Sequence, residues 1–91
     1  MKPGQELRQM RIDAKLSQGD VAKHMGYGTA QLVSNFERGL SFPPIKDLEK
    51  YAKLYSVPVD RIKYLIFSSK VEKLKKQLGL KHVLQAVPDK K

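Results

Sequence analysis

Apolar residues recur along this chain at intervals of three and four, and no stretch alternates with period two for long enough to argue a strand. In the first periodic stretch Leu7, Met10 and Ala14 stand at i, i+3 and i+7, with Pro3 and Gly4 marking its start and Leu16 and Ser17 interrupting it. Ser17 suits the N-cap of a second, short helix, Ser17–Met25. Asp20 stands three residues on, where a capping box takes a side-chain acceptor. Val21, Ala22 and Met25 form the apolar side of that helix, and Gly26 suits a left-handed stop. A third helix is expected from Thr29, an N-cap residue type, to Arg38, with Val33 and Phe36 inward and Gly39 ending it.

The run LSFPP, residues 40–44, does not continue a helix, and Pro44 suits the first turn of a fourth. Ile45, Leu48, Tyr51, Ala52 and Tyr55 make its apolar stripe, with the two tyrosine hydroxyls expected at the rim of the core. A fifth helix follows Pro58, with Val59, Ile62, Leu65 and Ile66 inward. Beyond Phe67, Ser68 or Ser69 is expected to cap a sixth helix ending at Leu78, with Gly79 as its stop. Phe67, Val71, Leu74 and Leu78 are spaced 4, 3 and 4. That is a short coiled-coil seam, and both pairing with a second chain and packing back onto the core fit it. The pattern implies an all-α fold: a compact five-helix bundle in residues 1–67, followed by a C-terminal helical extension and tail in residues 68–91.

The balance of charge then narrows the class of partner. Eighteen Lys and Arg against nine Asp and Glu give a net charge of +9. Such an excess suits a polyanion, although a basic surface kept for solubility is the plainer reading. The excess is uneven: residues 1–66 hold 11 basic and 7 acidic groups, and residues 67–91 hold 7 and 2. Lys70, Lys73, Lys75 and Lys76 read first as a solvated helical face and second as sequence-independent attraction for phosphate. There is no cysteine, which removes disulfides and cysteine metal sites and suits a reducing cytoplasm. No apolar run follows the first lysine as in a signal peptide, and the longest apolar cluster, Tyr64–Phe67, is far short of a membrane span. The expected location is the cytoplasm, on the nucleoid.

Helices two and three, joined by a glycine-containing turn, have the form of a helix-turn-helix, whose second helix enters the major groove N-terminus first. The outward face of the third helix departs from the rest of the surface, because Gln31, Ser34 and Asn35 stand where charge is otherwise abundant. An amide carries a donor and an acceptor that match adenine N6 and N7 together, which a lysine does not. Gln31 and Asn35 are four apart and share a face. Ala30 suits contact with a thymine methyl and Ser34 with several base edges. A solvated polar face is the competing reading, and the helix-turn-helix spacing favours base contact for Gln31 and Asn35 while leaving Ser34 and Ala30 open.

Residues 7–62 resemble the Xre/Cro/phage-repressor helix-turn-helix family, through LRQMRIDAKLSQGDVAKHMG, then VSNFERG, then PPIKDLEKYAKLYSVPVDRI. The resemblance implies a five-helix bundle, binding to double-stranded operator DNA, and a homodimer. It places Gln18 on a phosphate and against the reading helix, and Thr29, Ala30, Gln31, Ser34 and Asn35 on that helix. Thr29, Arg38 and Ser41 are expected at phosphates, Ser41 within the loop Leu40–Phe42. Arg11 and Glu37 match an ion pair between helices one and three. Family dimer contacts imply Leu65, Phe67, Val71, Leu74 and Leu78 as the dimerisation set. The chain departs from the family in three places. GYGT is one residue longer than the commonest turn, Lys15 replaces a glycine before the LSQ stretch, and Ser56 replaces a helix-ending glycine.

Other chemistry finds little support. GYGTAQ has no preceding strand and lacks a third glycine, so it is a poor nucleotide loop. His24 and His82 have no second ligand at metal spacing, and Ser17 and Ser34 have no paired base. Neither enzyme activity nor a metal or other cofactor is expected. The alternative of a different class is an antitoxin or protein-binding co-regulator on the same fold, docking a protein partner through the tail with Leu80, Val83, Leu84 and Val87.

Overall fold

The computed structural model describes residues 2–80, so Val83, Leu84, Val87 and His82 lie outside the described residues. Five helices follow one another: α1 (Pro3–Asp13), α2 (Gln18–Met25), α3 (Gln31–Glu37), α4 (Leu48–Tyr55) and α5 (Val59–Leu78). A single 3-10 turn, Ile45–Asp47, precedes α4, and no strand occurs among the described residues. The fold is the all-helical bundle that the three-and-four spacing implies.

Each helix contributes one stripe to a common core. Leu7 and Met10 come from α1, Val21, Ala22 and Met25 from α2, and Val33 and Phe36 from α3. Leu48, Tyr51, Ala52 and Tyr55 come from α4, and Ile62, Leu65 and Ile66 from α5. Phe36 lies at the centre of an aromatic chain. Its ring meets Tyr27 edge-on at 6.2 Å and Tyr51 edge-on at 6.5 Å, and Tyr51 leans on Tyr55 at 5.5 Å. Edge-to-face pairs of this kind each add about 0.5–1.5 kcal/mol beyond the area they bury.

The helix ends have local causes. Ser17 Oγ accepts from the Asp20 N–H at 2.9 Å, and the Asp20 carboxylate accepts from the Ser17 N–H at 2.9 Å, completing the capping box at the start of α2. The hydrogen bond from the Ser17 backbone is the largest of the influences that hold the Asp20 carboxyl below its usual value. Gly26, Gly39 and Gly79 close α2, α3 and α5 in the left-handed region. Gly4 acts by close approach instead, since a Cβ there would collide with the Glu37 carbonyl. The start of α1 rests against the end of α3 only because residue 4 has no side chain.

The structure corrects four expectations. Ile45 is not on the apolar stripe of α4: it is 73% exposed, because the turn Ile45–Asp47 is a 3-10 turn whose register differs from that of α4. Pro44 precedes that turn with extended backbone and is outside the helix. Ser68 and Ser69 cap nothing: α5 runs unbroken from Val59 to Leu78. The Tyr51 hydroxyl does not reach the rim, being buried without a hydrogen-bond partner.

Lys15 and Ser56 adopt the left-handed conformation with φ of 62° and 57°, at the two positions where the family pattern has glycine. A side chain with a Cβ pays roughly 1–2 kcal/mol there. Lys15→Gly and Ser56→Gly are each expected to stabilise the fold by about 1 kcal/mol, after allowance for the added freedom of the unfolded chain. Urea unfolding of each variant measures this, and an unchanged or lower midpoint would contradict it.

Candidate nucleic-acid interface

The interface is built on a buried charge. Glu37, the last residue of α3, receives the Arg11 guanidinium of α1 through Nε at 2.7 Å and through a second nitrogen at 3.2 Å. A third Arg11 nitrogen donates to the Leu16 carbonyl at 2.9 Å, in the link between α1 and α2. Gln18, at the start of α2, donates its amide to Glu37 Oε1 at 3.0 Å. One carboxylate thus ties three helices together. Arg11 and Glu37 are both buried, and hydrogen bonding to Glu37 raises the Arg11 pKa above its ordinary value. The bidentate geometry is what makes such a pair tolerable away from water. Of the two places expected for Gln18, a phosphate and the reading helix, its side-chain amide shows the second: it braces α3 through Glu37.

The outer face of α3 is uncharged. Gln31 Nε2 donates to Asn35 Oδ1 at 2.9 Å, so the two amides form one unit along the helix. That bond leaves the Gln31 oxygen and the Asn35 nitrogen available for other partners. Gln31 is exposed, and Ala30, Ser34 and Asn35 are half-buried beside it. α3 itself begins at Gln31 rather than at Thr29, although Thr29 Oγ1 still accepts from the Gln31 N–H at 3.2 Å.

The long turn before α3 has a packing explanation. Tyr27 meets the Phe36 ring edge-on, and its hydroxyl donates to Asp47 Oδ2 at 3.0 Å. The turn is thereby fastened to the segment ahead of α4. Burial pushes the Tyr27 phenol up to about 12, and burial raises those of Tyr51 and Tyr55 as well. Sequence reasoning missed Tyr27, because its two partners lie 9 and 20 residues away.

After α3, Arg38 and Leu40 are exposed. Ser41 differs from expectation: its hydroxyl oxygen is buried without a partner, so it is not offered outward. Of the expected dimerisation set, Leu65 belongs to the core at 5% exposure, because the inward stripe of α5 includes it beside Ile62 and Ile66. Phe67, Leu74 and Leu78 are exposed and Val71 is half-buried. Tyr64, which is exposed and lies 6.2 Å from the Phe67 ring, continues their stripe toward the start of α5. Among the described residues no group of His, Cys, Asp and Glu could hold a metal ion. No described helix is long and apolar enough to cross a membrane.

Two short helices joined through a left-handed glycine, the second carrying an amide face outward, define a helix-turn-helix protein. The helix-turn-helix domain model matches residues 4–65, and the chain belongs to that family, of the Xre and phage-repressor type. It is a DNA-binding transcription regulator. A relative is the cryptic phage CTXphi transcriptional repressor RstR of Vibrio cholerae, 29% identical over 75 residues. Those residues are 82% of this chain and 67% of the repressor. No solved structure matches the chain significantly.

Removing one member of the buried pair leaves the other charged and unsatisfied. Arg11→Met or Glu37→Leu is expected to cost about 3–5 kcal/mol, and the double variant less than either single one. Denaturant unfolding of the three variants checks this, and additive losses would show that the pair is not coupled.

Proposed function

We propose that this protein is a repressor of bacterial or phage type, acting in the cytoplasm on nucleoid DNA, and that it reads operator sequence in the major groove with α3. The observation that carries the reading is the bonded Gln31–Asn35 pair on an uncharged helical face, in a protein of net charge +9. An amide donates and accepts at once and so matches adenine in the major groove, whereas a lysine ammonium suits a phosphate. Gln31 and Asn35 contact base edges, with Ser34 and Ala30 beside them, while Thr29 and Arg38 hold the flanking phosphates. Gln18 serves the same surface by bracing α3 through Glu37. From the loop after Arg38, contact comes from the main chain around Ser41, whose hydroxyl is turned inward. The related RstR is described as a transcriptional repressor, which supports repression as the outcome.

The operator-bound form is a homodimer. Tyr64, Phe67, Val71, Leu74 and Leu78 are spaced 3, 4, 3 and 4 along α5, an a/d register over two heptads. Four of the five are exposed in the single chain, Phe67 at 62%. A self-complementary stripe of this spacing is what a second copy of the same helix covers. Two protomers joined there occupy half-sites about one helical turn apart, ~34 Å, and exclude polymerase from a promoter between or beside them.

In a selection from random duplex DNA, the native protein is expected to recover an inverted repeat. Gln31→Ala and Asn35→Ala should each relax preference at the positions that the bonded pair reads, at about 1–3 kcal/mol per bidentate contact. Equal loss on every sequence would refute base reading. Arg38→Ala should weaken binding evenly and lower the salt slope by about 1. For the dimer, Leu74→Lys should give a monomer by sedimentation with unchanged helix content. A dimer of native affinity would remove α5 from the interface.

A further inference from the structure

The C-terminal half of α5 contributes nothing to the core, since the last buried residue on the helix is Ile66. The twelve residues that follow project about 18 Å. Two contacts to a single ring tie this arm to the loop beside the candidate interface. Lys70 Nζ lies 5.4 Å from the centre of the Phe42 ring, and Lys73 Nζ lies 5.1 Å from it. Phe42 belongs to the loop that leaves α3 through Arg38 and Gly39. Two ammonium groups, three residues apart on one helical face, are thus gathered on a single ring beside that loop.

Their surroundings do not neutralise them. The ion pairs among the described residues are Arg11–Glu37 and Lys75–Glu72, and neither lysine takes part in one. Lys75 and Lys76 lie on the same arm, against Glu72 as its one described carboxylate. A ring face attracts a cation but carries no net charge, so two like charges crowded onto it remain uncompensated. Lysine is suited to hold a phosphate as a point charge, without the planar demands of arginine.

We propose that Lys70 and Lys73, positioned by Phe42, form a phosphate clamp that grips the DNA backbone beyond the bases read by α3. The clamp rests on the proposed DNA reading and extends its footprint along the duplex. It carries no sequence information; it adds counterion release, and so affinity that falls with salt. It also gives the loop after α3 a role other than direct contact. Phe42 places cations borne by another helix, while the Ser41 hydroxyl stays inside.

The test is a salt titration of DNA binding by fluorescence anisotropy, with the native protein and the double variant Lys70→Gln, Lys73→Gln. Two duplexes are used: the selected operator, and the same operator trimmed to the bases that α3 reads. On the long duplex the double variant should lose about 1.8 from the slope of log affinity against log salt, the release expected for two phosphates. On the trimmed duplex native and variant should agree. Phe42→Leu keeps both charges but frees them, and should lower affinity on the long duplex with a smaller loss of slope. Circular dichroism should be unchanged in both variants, because all three side chains lie outside the core. A native slope in the double variant on the long duplex would overturn the clamp and leave the reading by α3 intact. A native protein that binds neither duplex would overturn both.

Discussion

Everything that faces outward from α3 is held from behind by one buried carboxylate. Glu37 accepts from Arg11 twice and from Gln18 once, and so fixes the end of α3 against α1 and the start of α2. Charge buried in this way stabilises little by comparison with a good apolar packing. What it supplies here is direction. The guanidinium fork accepts one orientation of the carboxylate, and that orientation sets the rotation of a helix only seven residues long. So short a helix has little stability of its own. Its outer face is therefore only as well defined as its anchor.

The remaining supports act on the same helix from other sides. Gly4 lets the start of α1 pass under the end of α3, Phe36 is gripped by Tyr27 and Tyr51, and Tyr27 ties the preceding turn to Asp47. Charge, close backbone approach and aromatic packing converge on a segment that contributes only Val33 and Phe36 to the apolar core. The extended GYGT turn belongs to this scheme. Within it Tyr27 is turned inward onto Phe36 and Asp47.

Features set by neighbouring residues were legible in the sequence. The Ser17–Asp20 capping box and the left-handed glycines lie where the residue pattern puts them, whereas the strain at Lys15 and Ser56 was legible only from the family glycines they replace. The ion pair was legible through family resemblance, because no local rule links residues 11 and 37. Features set by packing were not legible. Ile45 looks apolar and in phase, yet a single 3-10 turn rotates it into solvent. Leu65 answers both to the inward stripe and to the seam, and only the packing decides for the core and leaves Tyr64 exposed beside it. Ser68 and Ser69 resemble caps, but a serine needs an extended backbone to cap a helix, and here both continue one. The candidate site divides in the same way. Gln31 and Asn35 were visible from spacing alone, whereas the inward turn of Ser41 and the gathering of Lys70 and Lys73 on Phe42 depend on tertiary structure.

The hydrogen bond between Gln31 and Asn35 bears on how such a protein diverges. Each amide orients the other on an exposed face, so replacing one frees its neighbour to turn and alters what that neighbour presents. Under the proposed function, a lineage acquiring a new operator does not pass through independent single steps at these positions. A change at one position alone gives a reader of blurred preference, and a new preference needs both.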